Sequence, residues 1–380
     1  MELAAEHGPV FKAMAWNELW ICIIGLDRCS RFIQENKERI RPVTIDVTRL
    51  YERGFLRQMQ GKEHRTYRKP LVIALRDEQV PHLRKEFQSI IESGCKTLLQ
   101  PQTGPEFLLS ALNEMASRLL IRLFYGLPDG SPVCERLLAG HRAMGPHGLV
   151  WNHGPRQETA YREIEQCVRD EYRDDPSHAS GVARRLHAMG ALDDTMLGHV
   201  IIMVEMGRYD LQGYFRWLLR YAGQNPELMD RMALESDVEP AVGNSLARAF
   251  VLETFRLNQS ERLIRQASRD IVFDGYHIPR RAKIRLCLWE SHKSDTHFPE
   301  PFSFCPGRFA DGDLPGDQFS PFGLDEHYCP LAEPSIFMGT LFLRSIARGY
   351  HVTPVGDGTP VRGAYHWEPP ASFTVRLSPR

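Results

Sequence analysis

One cysteine constrains this chain more than any other residue. Cys329 closes the segment Phe322-Gly323-Leu324-Asp325-Glu326-His327-Tyr328-Cys329-Pro330, and a long apolar stretch that reads as a helix follows it. That order puts a single thiol at the mouth of a helix N-terminus, whose positive end favours the thiolate and lowers its pKa. A thiolate held this way can serve as the one axial ligand of a haem iron. A lone cysteine is more often a buried structural residue; two further motifs shift the balance here. Cys305 imitates a ligand loop in Cys305-Pro306-Gly307, but Asp311-Gly312-Asp313-Leu314-Pro315-Gly316 follows it in place of an apolar helix. Cys329 is therefore the expected ligand.

The first motif is Glu253-Thr254-Phe255-Arg256, which sets a carboxylate and a guanidinium on one helix face, where they can pair. The second is Arg308, in the Pro-bounded loop Phe304-Cys305-Pro306-Gly307-Arg308-Phe309. Each is common alone. In this order and spacing before Cys329 they resemble the cytochrome P450 family. The resemblance implies that Glu253, Arg256 and Arg308 form a buried charge triad holding the cysteine loop.

It extends back to Glu63-His64-Arg65-Thr66-Tyr67-Arg68, similar to the family's HxxxR segment. His64 and Arg68 share a helix face, and both can donate to a carboxylate. Arg265, in Arg265-Gln266-Ala267-Ser268-Arg269-Asp270, is similar to a further propionate arginine. It precedes a short strand pair around Asp274-Gly275-Tyr276-His277-Ile278-Pro279, turned at Asp-Gly. The resemblance covers nearly the whole chain. It implies haem b (iron-protoporphyrin IX) with the Cys329 thiolate as axial ligand, and cofactor-binding roles for His64, Arg68, Arg265 and His327.

At 380 residues, 42% hydrophobic and 25% charged, the chain can bury a large core. No linker-like break or repeat interrupts it, so one domain over 1–380 is expected. A formal net charge of −1 carries no nucleic-acid footprint. Eight cysteines without CxxC or paired metal spacing argue against a zinc site and a secreted disulfide scaffold. A reducing cytoplasm is the expected location. The apolar run Trp16–Leu26, of about 11 residues, is too short to span a bilayer and has no basic segment before it as a signal peptide would. A soluble protein without a membrane partner follows, which for the resembled family suggests a bacterial type; a monomer is expected. The N-terminus reads as short for that family.

Gly8–Lys12 and Trp20–Ile24 read as strands, from β-branched residues and a short apolar run. From about His64 to Arg262 apolar residues recur at helical spacing, with helices predicted over Val80–Leu99, Glu106–Phe124, Glu158–Arg173 and Asp193–Tyr221. Strands return after Arg262 and in the last 30 residues. The fold class is mainly α with minor β: a helix-rich domain with small sheets formed by both chain ends, matching the cytochrome P450 fold. Gly145–Pro155 reads as a loop, over a substrate pocket or simply on the surface.

Two departures stand out. Counting back from Asn225-Pro226-Glu227 puts Met206-Gly207-Arg208-Tyr209-Asp210-Leu211 on the family's oxygen-binding segment, with Tyr209 and Asp210 where a carboxylate and a Thr usually stand. A Thr hydroxyl accepts and donates; an ionised Asp only accepts. Proton delivery is either rewired through Asp210 and Tyr209 or not needed, and a slip of one turn would bring Glu205 or Met206 to the haem. In the cysteine loop, Asp325 and Leu331 occupy the family's two Gly positions. Asp tolerates positive φ better than most residues, whereas Leu331 puts bulk beside the sulfur. Pro334 falls in the first turn of the following helix, where its missing N–H does little harm.

The resemblance implies a haem-thiolate monooxygenase acting on a small organic molecule of secondary-metabolite type, supplied with electrons by ferredoxin/reductase-type partners. Two alternatives stand: a peroxide-using or dioxygen-independent rearranging enzyme, and a non-catalytic homologue acting as a partner protein. Segments Tyr51–Met59, Val200–Asp210, Ser260–Ile264 and Tyr365–Ser372 are the expected pocket walls, with Trp151 and Trp367 as further aromatics.

Overall fold

The computed structural model describes residues 2–15, 17–44, 46–100, 104–145, 153–174, 180–235, 245–258, 263–356, 358–362 and 367–380. From Gly61 to Leu257 these residues are mainly helical, in Gly61–Asp77, Arg84–Leu98, Pro105–Tyr125, Pro132–Met144, Pro155–Asp174, Val182–Ala188, Asp194–Gln224, Pro226–Ala233 and Leu246–Leu257. The helix starts are encoded locally. Pro105, Pro132, Pro155 and Pro226 open their helices, where a missing N–H leaves no bond unmade. Ser131, Asp193 and Ser245 cap theirs by accepting from the backbone N–H of Cys134, Met196 and Arg248.

Asp194–Gln224, 31 residues long, runs through the helical body, with most of its apolar residues buried. The last long helix, Ala332–Gly349, begins three residues after Cys329, and Pro334 lies in its first turn. No long helix of this kind follows Cys305, where Pro306–Phe309 is a four-residue 3₁₀ turn.

Five strands build the principal sheet: β1 (Val10–Ala15), β2 (Glu18–Ile24), β3 (Ile40–Pro42), β4 (Ile264–Ala267) and, after the hairpin β5–β6 (Ile271–Phe273 and Tyr276–Ile278), β7 (Lys283–Cys287). Their order is β1-β2-β7-β4-β3. Among the described residues only β2 and β7 run parallel, and a parallel pair needs a crossover. Here the crossover is the whole helical body. The N-terminal strands thus pair with the strands after Arg262, while the last 30 residues form sheets of their own: β8 (Tyr350–Val355) with β11 (Thr374–Pro379), and β9 (Val361–Arg362) with β10 (Trp367–Glu368). The apolar run at Trp16–Leu26 is largely β2. Among the described residues no helix is long and apolar enough to cross a membrane.

The core has two parts, one among the helices and one under the principal sheet. The cysteine loop lies on the seam between them. Leu324 is buried with the sheet residues Ile21, Ile284 and Leu286, whereas Phe322, Cys329 and Leu331 pack on the helical core. Of the expected loop Gly145–Pro155, residues 146–152 with Trp151 lie outside the described residues, as do 260–262 and 365–366 of the expected pocket walls.

Candidate functional site

Cys329 is half-buried at the head of Ala332–Gly349, and its N–H donates to the Phe322 carbonyl at 2.8 Å. That bond closes a loop whose sharp turn falls at Asp325, with φ +59°. The left-handed conformation that Gly usually supplies is here adopted by Asp. Asp325→Gly is accordingly expected to melt no lower than the parent, while Asp325→Val loses about 1–2 kcal/mol. A clear loss in the Gly variant would show instead that the carboxylate itself holds the loop.

The sequence leads one to expect a depressed thiol pKa at Cys329. The structure reverses the net direction: burial pushes the thiol up, Asp210 pushes the same way, and the Leu331 backbone N–H, Arg68 and Arg57 pull it down. The helix end contributes as expected, but desolvation outweighs it. A cation at the sulfur would overturn that balance, since metal binding drives deprotonation of a thiol ligand.

Beside the thiol, the structure gathers four of the expected cofactor residues. His64, on Gly61–Asp77, is 1% exposed, and its ring centroid lies 4.4 Å from that of His327. Arg68, one turn further along, donates to the Tyr328 carbonyl in the cysteine loop. Arg265, on β4, is 3% exposed and donates to the adjacent Ile264 carbonyl. Among the described residues, the arginines acting on this cluster, Arg57, Arg68 and Arg265, outnumber the carboxylates acting on it, Asp325 and Glu326. Burial lowers the His327 pKa to about 3, with Arg265, His64, Arg57 and Arg68 adding to the shift. Burial likewise lowers Arg265 to about 10 against the pull of Asp325 and Glu326, and lowers His64 and Arg68. The buried His64 Nδ1 has no hydrogen-bond partner. Two buried donors, His64 and Arg265, two half-buried ones, Arg68 and His327, and an orphaned imidazole nitrogen match what the carboxylates of a haem would satisfy. Arg57 belongs to this set through its effect on His327 and Cys329, and reading the sequence missed it. It lies in the segment Tyr51–Met59, four residues after Arg53, and belongs to none of the motifs read from the sequence.

Behind the loop, Glu253 and Arg256 are both fully buried and form a two-pronged pair, at 2.7 Å from Nε and 2.8 Å from Nη2. Arg256 also donates to the carbonyls of His292, Pro301 and Ser303, and Glu253 accepts the Cys305 N–H. Arg308 approaches Glu253 at 3.5 Å and donates to the Glu300 carbonyl. It is the looser member of the three. The link to the cysteine loop runs through His292, whose Nε2 accepts the Ser320 N–H, and on through the Ser320 hydroxyl to the Gly323 carbonyl. Burial holds His292 neutral, as an acceptor must be. Aromatic rings complete the brace: Phe255 stacks on Tyr214 of the central helix and meets Phe322 of the loop edge-on. Cys305 is exposed, on the outer side of this brace.

On the central helix, Asp210 is near enough to raise the Cys329 thiol's pKa. Tyr209 is not gathered with it; its hydroxyl accepts from Arg208 at 2.9 Å. Glu205 is bound by Arg208 and His141, so it is not the group a one-turn slip would bring to the cofactor. Further along the helix, His199 Nδ1 accepts the Leu56 N–H and meets the Tyr51 hydroxyl, tying the segment Tyr51–Met59 to the helix.

The sequence profile of the family described as Cytochrome P450 matches residues 217–360. An ent-kaurenoic acid oxidase of Oryza sativa subsp. japonica is 26% identical over 95% of this chain and 78% of its own length. Ent-kaurenoic acid oxidase 1 of Hordeum vulgare is 25% identical over 71% of this chain. The match spans 61% of that relative, less than two thirds of its length. Among solved structures, the retinoic acid-bound cyanobacterial CYP120A1 superposes with a TM-score of 0.78 at 18% identity, covering 100% of this chain and 93% of that one.

Proposed function

Because this chain belongs to the cytochrome P450 family, oxidoreductases with cysteine-ligated haem, we propose that it is a monooxygenase of a small apolar organic molecule, driven by a separate electron donor of ferredoxin type. The observation that carries the reading is the donor-rich cradle of His64, Arg68, Arg265 and His327 beside the Cys329 thiol. When bound, the haem supplies oxidative chemistry that no side chain here can perform. In the proposed arrangement His64, Arg68, Arg265 and His327 hold its propionates, and Cys329 is the ligand, oriented by the Phe322 carbonyl and the Leu331 N–H. The Glu253–Arg256 pair keeps that loop from moving. Asp210, on the central helix, would hold or pass a proton. Two relatives are named for ent-kaurenoic acid, so apolar organic acids are the first substrates to screen, by the change each causes in the haem spectrum.

A peroxide-using or rearranging enzyme is the second reading. It is favoured by the missing Thr at position 210 and by the Tyr209 hydroxyl being engaged by Arg208. Asp210→Asn separates the two, because it keeps the size and removes the titrating proton. With a ferredoxin and its reductase, a dioxygen-dependent enzyme should retain haem and lose turnover by roughly 10²-fold, the scale of general acid–base catalysis, with hydrogen peroxide released instead of product. A peroxide-using enzyme should show its loss when driven by peroxide alone. Unchanged turnover in both assays would remove Asp210 from the mechanism.

A further inference from the structure

One turn before Asp210, the central helix carries a buried ionic network that the cofactor cradle does not use. Glu205, Arg208 and His141 are 0%, 3% and 1% exposed. Arg208 donates to both Glu205 oxygens, at 3.1 and 2.5 Å, and His141 Nδ1 lies 2.8 Å from the same carboxylate. Arg208 also donates to Asn113 Oδ1 at 2.6 Å, to the His141 carbonyl at 2.8 Å and to the Tyr209 hydroxyl at 2.9 Å. The helices Pro105–Tyr125 and Pro132–Met144 are thereby joined to the central helix through one guanidinium.

Such a network is a costly way to hold helices together, since well-packed apolar residues often do as well. Ions add direction: every group they bond is fixed in orientation. Here that group includes the Tyr209 hydroxyl, and a second observation concerns the same ring. Gly145 ends the helix Pro132–Met144, and a Cβ placed there would come within 2.1 Å of the Tyr209 hydroxyl and 2.5 Å of Arg208 Nη2. Only a residue without a side chain lets the Tyr209 ring and the Arg208 fork lie there. The Arg208 guanidinium also sits 4.3 Å above that ring's centroid.

We propose that Glu205, Arg208 and His141 are positioning residues which, with the gap left by Gly145, pin Tyr209 and so hold in place the turn of the central helix that carries Asp210. Tyr209 and Asp210 are adjacent in a helix of 3.6 residues per turn, so holding the backbone at Tyr209 also holds the Cα–Cβ bond of Asp210, about 100° around the axis. This inference rests on the proposed role of Asp210. It accounts for why the segment carries Tyr-Asp in place of the carboxylate and Thr usual in the family: Tyr209 anchors, and Asp210 faces the site.

The test uses haem-loaded Glu205→Gln, Tyr209→Phe and Gly145→Ala proteins and the Glu205→Gln/Tyr209→Phe double variant. Amide hydrogen exchange of residues 203–214 is measured first. NADPH is then consumed through a ferredoxin and its reductase without substrate, and the share of electrons recovered as hydrogen peroxide is compared in H₂O and D₂O. Each single variant is expected to speed exchange in that segment on the order of tenfold, raise the peroxide share and change its solvent isotope effect. The double variant should be no worse than the more severe single one, because both act through Arg208. Parental exchange and peroxide share in Tyr209→Phe and Gly145→Ala would overturn the proposal, as would fully additive effects; these two decide if Glu205→Gln does not fold. A parent protein without a thiolate-type carbonyl spectrum would sink the monooxygenase reading instead, and hydrogen exchange would still decide the pinning.

Discussion

Cys329→Ala is expected to abolish the thiolate-type spectrum of the reduced, carbon monoxide-bound protein, and Cys305→Ala to leave it intact. Both cysteines are followed by Pro, so that dipeptide alone does not separate them. Their surroundings do. Cys329 heads an 18-residue helix, receives the Leu331 N–H, and feels Arg57, Arg68 and Asp210. Cys305 is exposed, has its own N–H committed to Glu253, and heads a single 3₁₀ turn. The two variants share the loss of one thiol, so a difference between them reads position and not chemistry. Equal spectra from Cys329→Ala and the parent would remove Cys329 as ligand.

The second large effect is expected at the buried pair. Glu253→Ala leaves the Arg256 guanidinium without its carboxylate, and Arg256→Ala leaves Glu253 charged in a fully buried site. Stranding one partner costs roughly 3–5 kcal/mol, against a total stability of about 5–15 kcal/mol for a typical domain. Arg256→Ala also orphans the carbonyls of His292, Pro301 and Ser303, and with His292 it loosens the path to Ser320 and the cysteine loop. Both variants should lose haem and soluble protein. Arg308→Ala should lose less, because Arg308 is partly exposed and stands 3.5 Å from Glu253. Thermal melting and haem content of the three variants check the ranking. Parental values for Glu253→Ala would mean that the pair does not hold the loop.

Much of this was legible in the sequence because it is written in short-range patterns. Helical periodicity and helix-opening prolines gave the helical body, and Asp274-Gly275 gave the hairpin turn. Cys329 was separable from Cys305 by the helix that follows it. What was not legible depends on contacts across the fold. His141 and Glu205 lie 64 residues apart and meet only because two helices pack side by side. Arg57 has no motif around it. The direction of the Cys329 shift turned on depth of burial, which no local pattern reports. The looseness of Arg308 is a matter of a side chain's reach, which spacing does not encode.

The most direct test of the central claim is the carbon monoxide difference spectrum of the reduced, haem-loaded parent protein, read together with its haem content. The predicted result is one haem per chain and the long-wavelength band of a thiolate-ligated carbonyl haem. A protein that takes up no haem, or that takes it up and shows the shorter-wavelength band of a histidine-ligated one, would contradict the assignment of Cys329 and its cradle.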